Sequence, residues 1–593
     1  MRPALNAAAQ IGRIGALAVA LGVGAAVATG QGVASADTAG SSSSTGSSSA
    51  AKNSPSASAG KRKSGKTAAP SAARSGTKSA ATAAPKVTAE TKATTAAAPT
   101  ATPQASVVST VLKTVGLAKP AVSTPVKPVA PTDPPLVALL AAARREFGRD
   151  TSPLTKSLRT QPAAVTQSAA ISTAAVVGTT AVAPSVPSSL PSTPVGWVTG
   201  VNNPKPGLLT PYIPQTNNTS GFNIYGTDLG IMWDNMQSGD THYILTAFGD
   251  TFSGPNMSGS WRSNVLLLST DTTLYNGMSL LQTGPAYQFI PSYPGALGLG
   301  GSEVTNIPTS GIAVLGNQYV NYMSVKSWDT PGSWTTNYSA VSVYNPVTDK
   351  WVVAPSTIRS AGWFRSSTPY VPGSQNFQQA AYVLQPEDQV GADGVRYLYA
   401  FGTPSGRQGS AYLSRVAQGS VTDLSQYEYW DGGSGTWVKG NPAVATAVIG
   451  SQNDTRPIIG FFVDIANDPN FFGGVLGGLV GAKQGGNVSE MSVQYNDYLD
   501  KYVVMYGDGA NNVQMRVADT PEGPWSDPIM VATSLQYPGL YAPMIHPWSG
   551  TGELTDAAGN PDVSNLYWNM SIWGDYNVVM MKTDLSSLKT TSV

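Results

Sequence analysis

A chain of 593 residues with no cysteine and only two histidines, His242 and His546, has a short menu of chemistry. It excludes cysteine nucleophiles, cysteine-ligated zinc and a three-histidine metal centre, and leaves carboxylates as the most available catalytic groups. The formal net charge of +1 hides an asymmetry: residues 1–133 hold 14 Lys and Arg against 3 acids, a net of +11, so the remainder carries about −10.

Residues 1–36 contain no acid. Arg2 and Arg13 precede the apolar stretch "IGALAVALGVGAAVA", and "ASA" stands before Asp37. A charged start, an apolar middle and a small-residue cleavage site predict a secretory signal peptide over 1–36 and a secreted or envelope-associated protein. A membrane anchor is the alternative, but the run is short and rich in Ala and Gly.

Residues 37–195 are dominated by Ser, Ala, Thr and Pro, with Lys frequent to about residue 133. Such a stretch buries too little apolar surface to offset its ordering entropy, so a disordered linker is expected. Within it, "PPLVALLAAARREFG" places Leu136, Leu139, Leu140 and Phe147 on one helical face, predicting a short helix near 135–147. The basic stretch reads as a solvated linker; the sharper alternative is an electrostatic tether to an anionic envelope surface.

From 196 to 593 the pattern is strand, turn, strand, with abundant Gly, Asn, Pro and aromatic residues. An internal repeat organises it: "AFGD" (247–250), "AFGT" (400–403), "MYGD" (505–508) and "IWGD" (572–575) each close a short aromatic-rich strand. A degenerate copy at 318–329 fills the gap between the first two. Five such units predict an all-β, five-bladed β-propeller. A β-sandwich would not predict the repeated ending. The Gly-rich "FFGGVLGGLVGAKQGG" (471–486) lacks P-loop spacing and reads as a flexible insertion before blade four. The apolar stretch around it is interrupted by Asp464, Asp468 and Pro469, so no membrane span is expected there. The acidic body opposes nucleic-acid binding. No cofactor or metal is expected, and the chain is expected to be monomeric.

In a blade, the start of the innermost strand and the end of the next strand lie at one mouth of the channel. Asp228 and Asp250 sit 11 residues either side of Gly239, the centre of the first hairpin turn. An ungapped hairpin would set them opposite one another, Cβ atoms about 4.5–5.5 Å apart; a bulge would shift that register. Two close carboxyls can divide acid and base roles, as glycoside hydrolysis requires. Turn capping by each Asp is the plain alternative. No G-x-S-x-G elbow offers a rival serine site. The same rule places Glu303, Asn306, Gln378, Gln379, Arg407, Glu490, Asp508, Tyr541, His546 and Asp575 at the mouth. Trp233, Arg262 and Asn264 lie on or just after blade one. Trp233, Arg262, Asn264, Glu303, Asn306, Glu490, Tyr541 and His546 are the expected substrate contacts: polar groups with aromatic rings suit a sugar's hydroxyls and apolar faces.

The segments "YGTDLGIMWD", "AFGDTFSG", "WRSNVLLLSTD", "SEVTNIPTSG", "SEMSVQYNDYLDKYVVMY" and "YAPMIHP" resemble the DUF4185 family over about 200–585. The resemblance implies a five-bladed propeller with endo-D-arabinanase activity, in glycoside hydrolase family 183. It implies cleavage of internal α-linkages in the D-arabinan of arabinogalactan and lipoarabinomannan, with Asp228 and Asp250 in the positions of the family's two key aspartates. Inversion is the expected outcome; which Asp is the acid is left open. A non-catalytic wall-binding propeller and a glycosidase on another polymer, such as an L-arabinan, are the alternatives.

Overall fold

The computed structural model describes residues 185–202, 212–281, 284–328 and 332–589. The expected signal peptide, the linker up to residue 184 and the helix near 135–147 lie outside them. The described body is a five-bladed β-propeller. β1 (Thr193–Trp197) comes first in the chain but belongs to the last blade. Blade one contains β2 (Leu229–Asp234) and β3 (Ile244–Phe248). A side hairpin follows, made of β4 (Thr251–Gly254) and β5 (Ser258–Arg262). β6 (Val265–Ser269) then completes the sheet in the order β2-β3-β6.

Blade two is β7 (Thr305–Val314), β8 (Asn317–Ser327), β9 (Thr335–Asn345) and β10 (Lys350–Ser360). Blade three is β11 (Gln379–Leu384), β12 (Tyr397–Thr403), β13 (Ala411–Ala417), β14 (Glu428–Asp431) and β15 (Thr436–Lys439), with β16 (Ala447–Ile449) paired to β13. Blade four is β17 (Met491–Asn496), β18 (Lys501–Gly507), β19 (Val513–Ala518) and β20 (Ile529–Ala532). Blade five is β21 (Leu540–Ile545), β22 (Asn565–Ile572) and β23 (Asn577–Asp584), with β1 on its outer edge. The innermost strands β2, β7, β11, β17 and β21 adjoin one another in that order, and β21 returns to β2.

Sheets covered on both faces read as continuous apolar runs rather than alternating ones. Accordingly every residue of β3 and of β21 is buried. The repeat glycine has a local cause. A Cβ on Gly249 would collide with the Asp228 carboxylate, one on Gly402 with the Phe377 ring, and one on Gly507 with Ser489 Oγ. In three blades, then, the glycine makes room for a side chain at the opening of that blade's own innermost strand.

The ring is closed by β1, three residues ahead of the expected boundary at 196. Thr193 pairs with Lys582 and Trp197 with Val579. Upstream of the strand, Leu190 N donates to Met530 O at 2.9 Å, linking the same segment to blade four. Trp197 is buried in a core shared with Leu566 and Trp568.

The Gly-rich segment before blade four is not the flexible loop expected from its composition. It follows α1 (Gly460–Asn467) in the chain and holds α2 (Gly477–Val480). Asn467 joins them: Nδ2 donates to Val463 O at 2.9 Å and Gly481 O at 3.0 Å, and Oδ1 accepts from Gln375 Nε2 at 2.6 Å. Cβ atoms on Gly477 and Gly478 would strike Asn467 and the Trp363 ring. Here glycine serves close approach, not looseness.

Gly311 in β7 shows the same constraint in the core, since a Cβ there would fall inside the Trp233 ring. Gly311→Ala should destabilise the fold by about 1–3 kcal/mol. A thermal melt unchanged from wild type would contradict the packing.

Candidate active site

The two motifs that carry the aspartates are pinned to each other. Thr227 Oγ1 and Thr251 Oγ1 share a 2.6 Å hydrogen bond, and Gly249 N donates to Asp228 O at 3.1 Å. The hairpin keeps the expected register about Gly239 from Asp234↔Ile244 to Ile231↔Ala247, then slips by one, pairing Leu229 with Phe248. The slip is a bulge in which Leu229 and Gly230 both take left-handed backbone, φ 72° and 73°. Gly230 is confined there: its carbonyl accepts from Asn569 Nδ2 at 2.9 Å, and a Cβ would press on that amide. Leu229 N is satisfied by Ser571 Oγ at 2.8 Å.

The bulge overturns the face-to-face geometry expected for the aspartates. Asp228 lies over Gly249, one residue short of Asp250, and the two carboxylates turn to opposite neighbours. Asp228 Oδ2 accepts from Tyr541 OH of blade five at 2.9 Å. Asp250 Oδ1 accepts from Thr305 Oγ1 of blade two at 2.6 Å and from Trp261 Nε1 at 3.1 Å. Both side chains are largely buried.

A cavity of about 390 Å³ opens at this mouth, within the range that holds small ligands. Asp228, Glu490 and Tyr541 line it; Asp250 does not. Arg407, from the loop after β12, completes the polar side. Its Nη2 donates to Glu490 Oε1 at 2.9 Å, and its guanidinium lies 5.1 Å from the Tyr541 ring centroid and 5.8 Å from that of Trp334. Trp328, Trp334 and Trp573 supply apolar walls.

The remaining expected contacts are not brought to the cavity. Trp233 lies toward the far end of β2, packed edge-on to Trp351 with Nε1 donating to Gln318 at 2.9 Å. Arg262 gives Nη1 to Ala286 O and Nη2 to Asn223 O, and burial holds its pKa below the ordinary value. Asn264 is fully buried and spends its amide on the backbone of Phe289, Ile290 and Asn306. Glu303 accepts from Ser292, Asn306 and Ser324, clamping the start of β7. Asn306 shares that clamp and is buried.

His546 follows the opposite end of β21 from Tyr541 and is fully buried; burial pushes its pKa down to about 3, so it stays neutral at ordinary pH. Strand length explains the misplacement: five residues carry the chain from one mouth toward the other. Gln379 lines the cavity, whereas Gln378 is consumed by Arg359 O, Ser374 O and Thr336. Asp508 is a turn cap accepting from Ala510 N and Asn512 N.

The tryptophan walls were overlooked, although the repeat marks two of them. Its aromatic position is Phe248, Phe401 and Tyr506 in three copies, but Trp328 and Trp573 in the others, and both tryptophans reach the cavity.

Asp575, beyond β22 at the same end of blade five, is partly buried, and desolvation raises its carboxyl to about 6. An unfolded Asp titrates near 3.9, so the folded state binds this proton more tightly. Asp575 therefore favours the fold below about pH 4, and that advantage is lost as pH rises through 6. Asp575→Asn should raise the melting midpoint at pH 7 and lose that benefit near pH 4. A gain independent of pH would contradict the desolvation account.

The family description "Domain of unknown function (DUF4185)" matches residues 215–460 and 478–582, more than half of the chain. No curated protein matches. Among solved structures, a Bacteroides ovatus protein given only provisionally as a hydrolase shares 13% identity, with 63% of this chain and 90% of that one covered at a TM-score of 0.36. The native arabinanase of Bacillus subtilis shares 12%, covering 60% and 95%, at 0.30. An α-L-arabinofuranosidase of Podospora anserina, solved with cellotriose, shares 11%, covering 67% and 98%, at 0.27. At such scores no activity passes from these proteins to this chain.

Proposed function

This chain belongs to the DUF4185 family, and from that premise we propose that it is a glycoside hydrolase cleaving internal α-D-arabinofuranosyl linkages of cell-wall arabinan outside the cytoplasm. The observation that carries the reading is the cavity, where a buried carboxylate, Asp228, meets an Arg–Glu pair and three tryptophan rings at one mouth. Carboxylates serve acid–base work, and flat rings pack against a sugar's apolar face. The choice of D-arabinan rests on the family resemblance rather than on cavity shape.

Tyr541 donates to Asp228 Oδ2 and so orients this carboxyl, to which we assign the base that activates water. Asp250 stands as the partner carboxyl. Inversion, which uses a carboxyl spacing of about 6.5–9.5 Å, is the outcome proposed for the pair. Purified arabinan is the direct substrate: an endo-acting enzyme releases oligosaccharides of mixed length, with new reducing ends of inverted configuration by NMR. Absence of new reducing ends would leave the second reading, a propeller that binds polysaccharide without cutting it. One observation favours that reading: Asp250 does not line the cavity.

A further inference from the structure

The mouth face carries an apolar surface that the reaction does not use. The α1–α2 insertion holds Ile458, Phe461, Phe472 and Leu479 in solvent, 89, 68, 56 and 64% exposed. The neighbouring loop adds Phe364, at 78%, and is joined to α2 where Trp363 N donates to Gly478 O at 3.2 Å. The insertion ends beside the cavity: Gly485 N donates to Gln408 O and Val488 N to Gly409 O, on either side of the loop that carries Arg407. Residues 461–477 are the stretch left between the two matched parts of the family description. Two of the insertion's acids are paired, Asp464 with Lys483 at 3.8 Å and Asp454 with Arg456 at 2.5 Å. Asp468, after α1, accepts from Asn470 N instead of from a cation. Exposed apolar clusters of this kind mark a binding surface rather than a solvated rim.

We propose that the α1–α2 insertion docks on an anionic lipid surface, burying its Phe, Ile and Leu side chains among acyl chains and holding the cavity mouth against that surface. Two features favour lipid over a protein partner. The rings project as adjacent pairs, Phe461 with Phe462 and Phe471 with Phe472, from short helices and glycine turns, and a fluid acyl phase needs no complementary shape. Residues 37–133, which remain after the expected cleavage, hold 12 Lys and Arg against 3 acids, a net of +9, and an apolar insertion together with a polybasic stretch is the two-signal arrangement that gives stable membrane attachment. Among the described residues no helix is long and apolar enough to cross a bilayer. The proposal stands independently of the reaction.

Sedimentation of the full chain with vesicles of phosphatidylcholine and phosphatidylglycerol tests it. Wild type is expected to pellet with the vesicles. The double substitution Phe461→Ser, Phe472→Ser should weaken partitioning by about tenfold or more, with an unchanged thermal melt. A control, Leu315→Ser with Val347→Ser, alters exposed turns at the opposite mouth and should leave binding intact. Raising salt, or omitting phosphatidylglycerol, should weaken wild-type binding further. Wild type left in the supernatant, or a double variant that binds as well as wild type, overturns the proposal. So does a wild-type dimer that the double substitution dissolves while neither protein binds vesicles, which would assign the surface to a second copy of the chain.

Discussion

Asp228→Asn is expected to lower the rate of arabinan cleavage by about 10²–10⁴-fold while leaving the fold intact, since a single general acid or base is typically worth that much. The substitution keeps the shape of the side chain and an oxygen for the Tyr541 hydroxyl, so packing against Gly249 is preserved. Asp250→Asn should be equally tolerated structurally, because an amide oxygen still accepts from Thr305 and Trp261. Its effect on rate decides the pair. A loss of the same size assigns Asp250 the second proton-transfer role. A normal rate removes Asp250 from the mechanism and directs attention to Glu490, which lines the same cavity as Asp228. A normal rate in Asp228→Asn would sink the catalytic reading of the whole mouth. Each variant is checked by reducing-end release at saturating and limiting arabinan, alongside a thermal melt that excludes unfolding.

Trp197→Ala is expected to cost about 3–5 kcal/mol of stability, the usual loss for a large aromatic truncated in a core. Trp197 is 1% exposed, and its backbone ties β1 to the 214–216 segment, with its N–H donating to Pro214 O and its carbonyl accepting from Thr216 N. The effect should exceed that of an equally buried aromatic within one blade, because β1 also covers the edge of β23. Chemical denaturation read by tryptophan fluorescence measures it. A loss under about 1 kcal/mol would mean that β1 is an accessory strand and not a closure.

The propeller was legible because its repeat is periodic. Four strand endings of one form, with a weaker fifth, mark β3, β8, β12, β18 and β22, each the second strand of its sheet. β1 was not legible: it lies in a Pro- and Ser-rich stretch and pairs with a strand nearly four hundred residues away, a partner that no local pattern announces. Of the ten expected site residues, the cavity gathers Asp228, Glu490 and Tyr541. Those three lie within one residue of the start of an innermost strand, where a position in sequence fixes a position at the mouth. Asn264 and Glu303 belong to connecting segments and Arg262 ends the side strand β5; their polar groups are taken by nearby backbone or side chains, a demand that every buried polar group makes.

Gly230 was the available flag for the register slip. A glycine inside an apolar strand pattern is a standard sign of a bulge, and here it decides which residue Asp228 faces. The helical insertion was misread for the opposite reason. Its glycines were taken as looseness, when they let side chains and backbone approach closely.

The closure of the ring also sets an order of events. Ser192 and Thr583, hydrogen-bonded at 2.5 Å, are 391 residues apart in sequence. During synthesis the first strand of the propeller emerges long before the strand it must join. Until β23 is made, blade five lacks its third strand and β1 has no sheet to join. Non-local pairing of this kind slows folding and leaves edges open to wrong partners in the interval. A chain exported before it folds would meet that interval outside the cytoplasm, so the final yield of closed protein should depend on how quickly blade five, from Leu540 to Asp584, follows the rest.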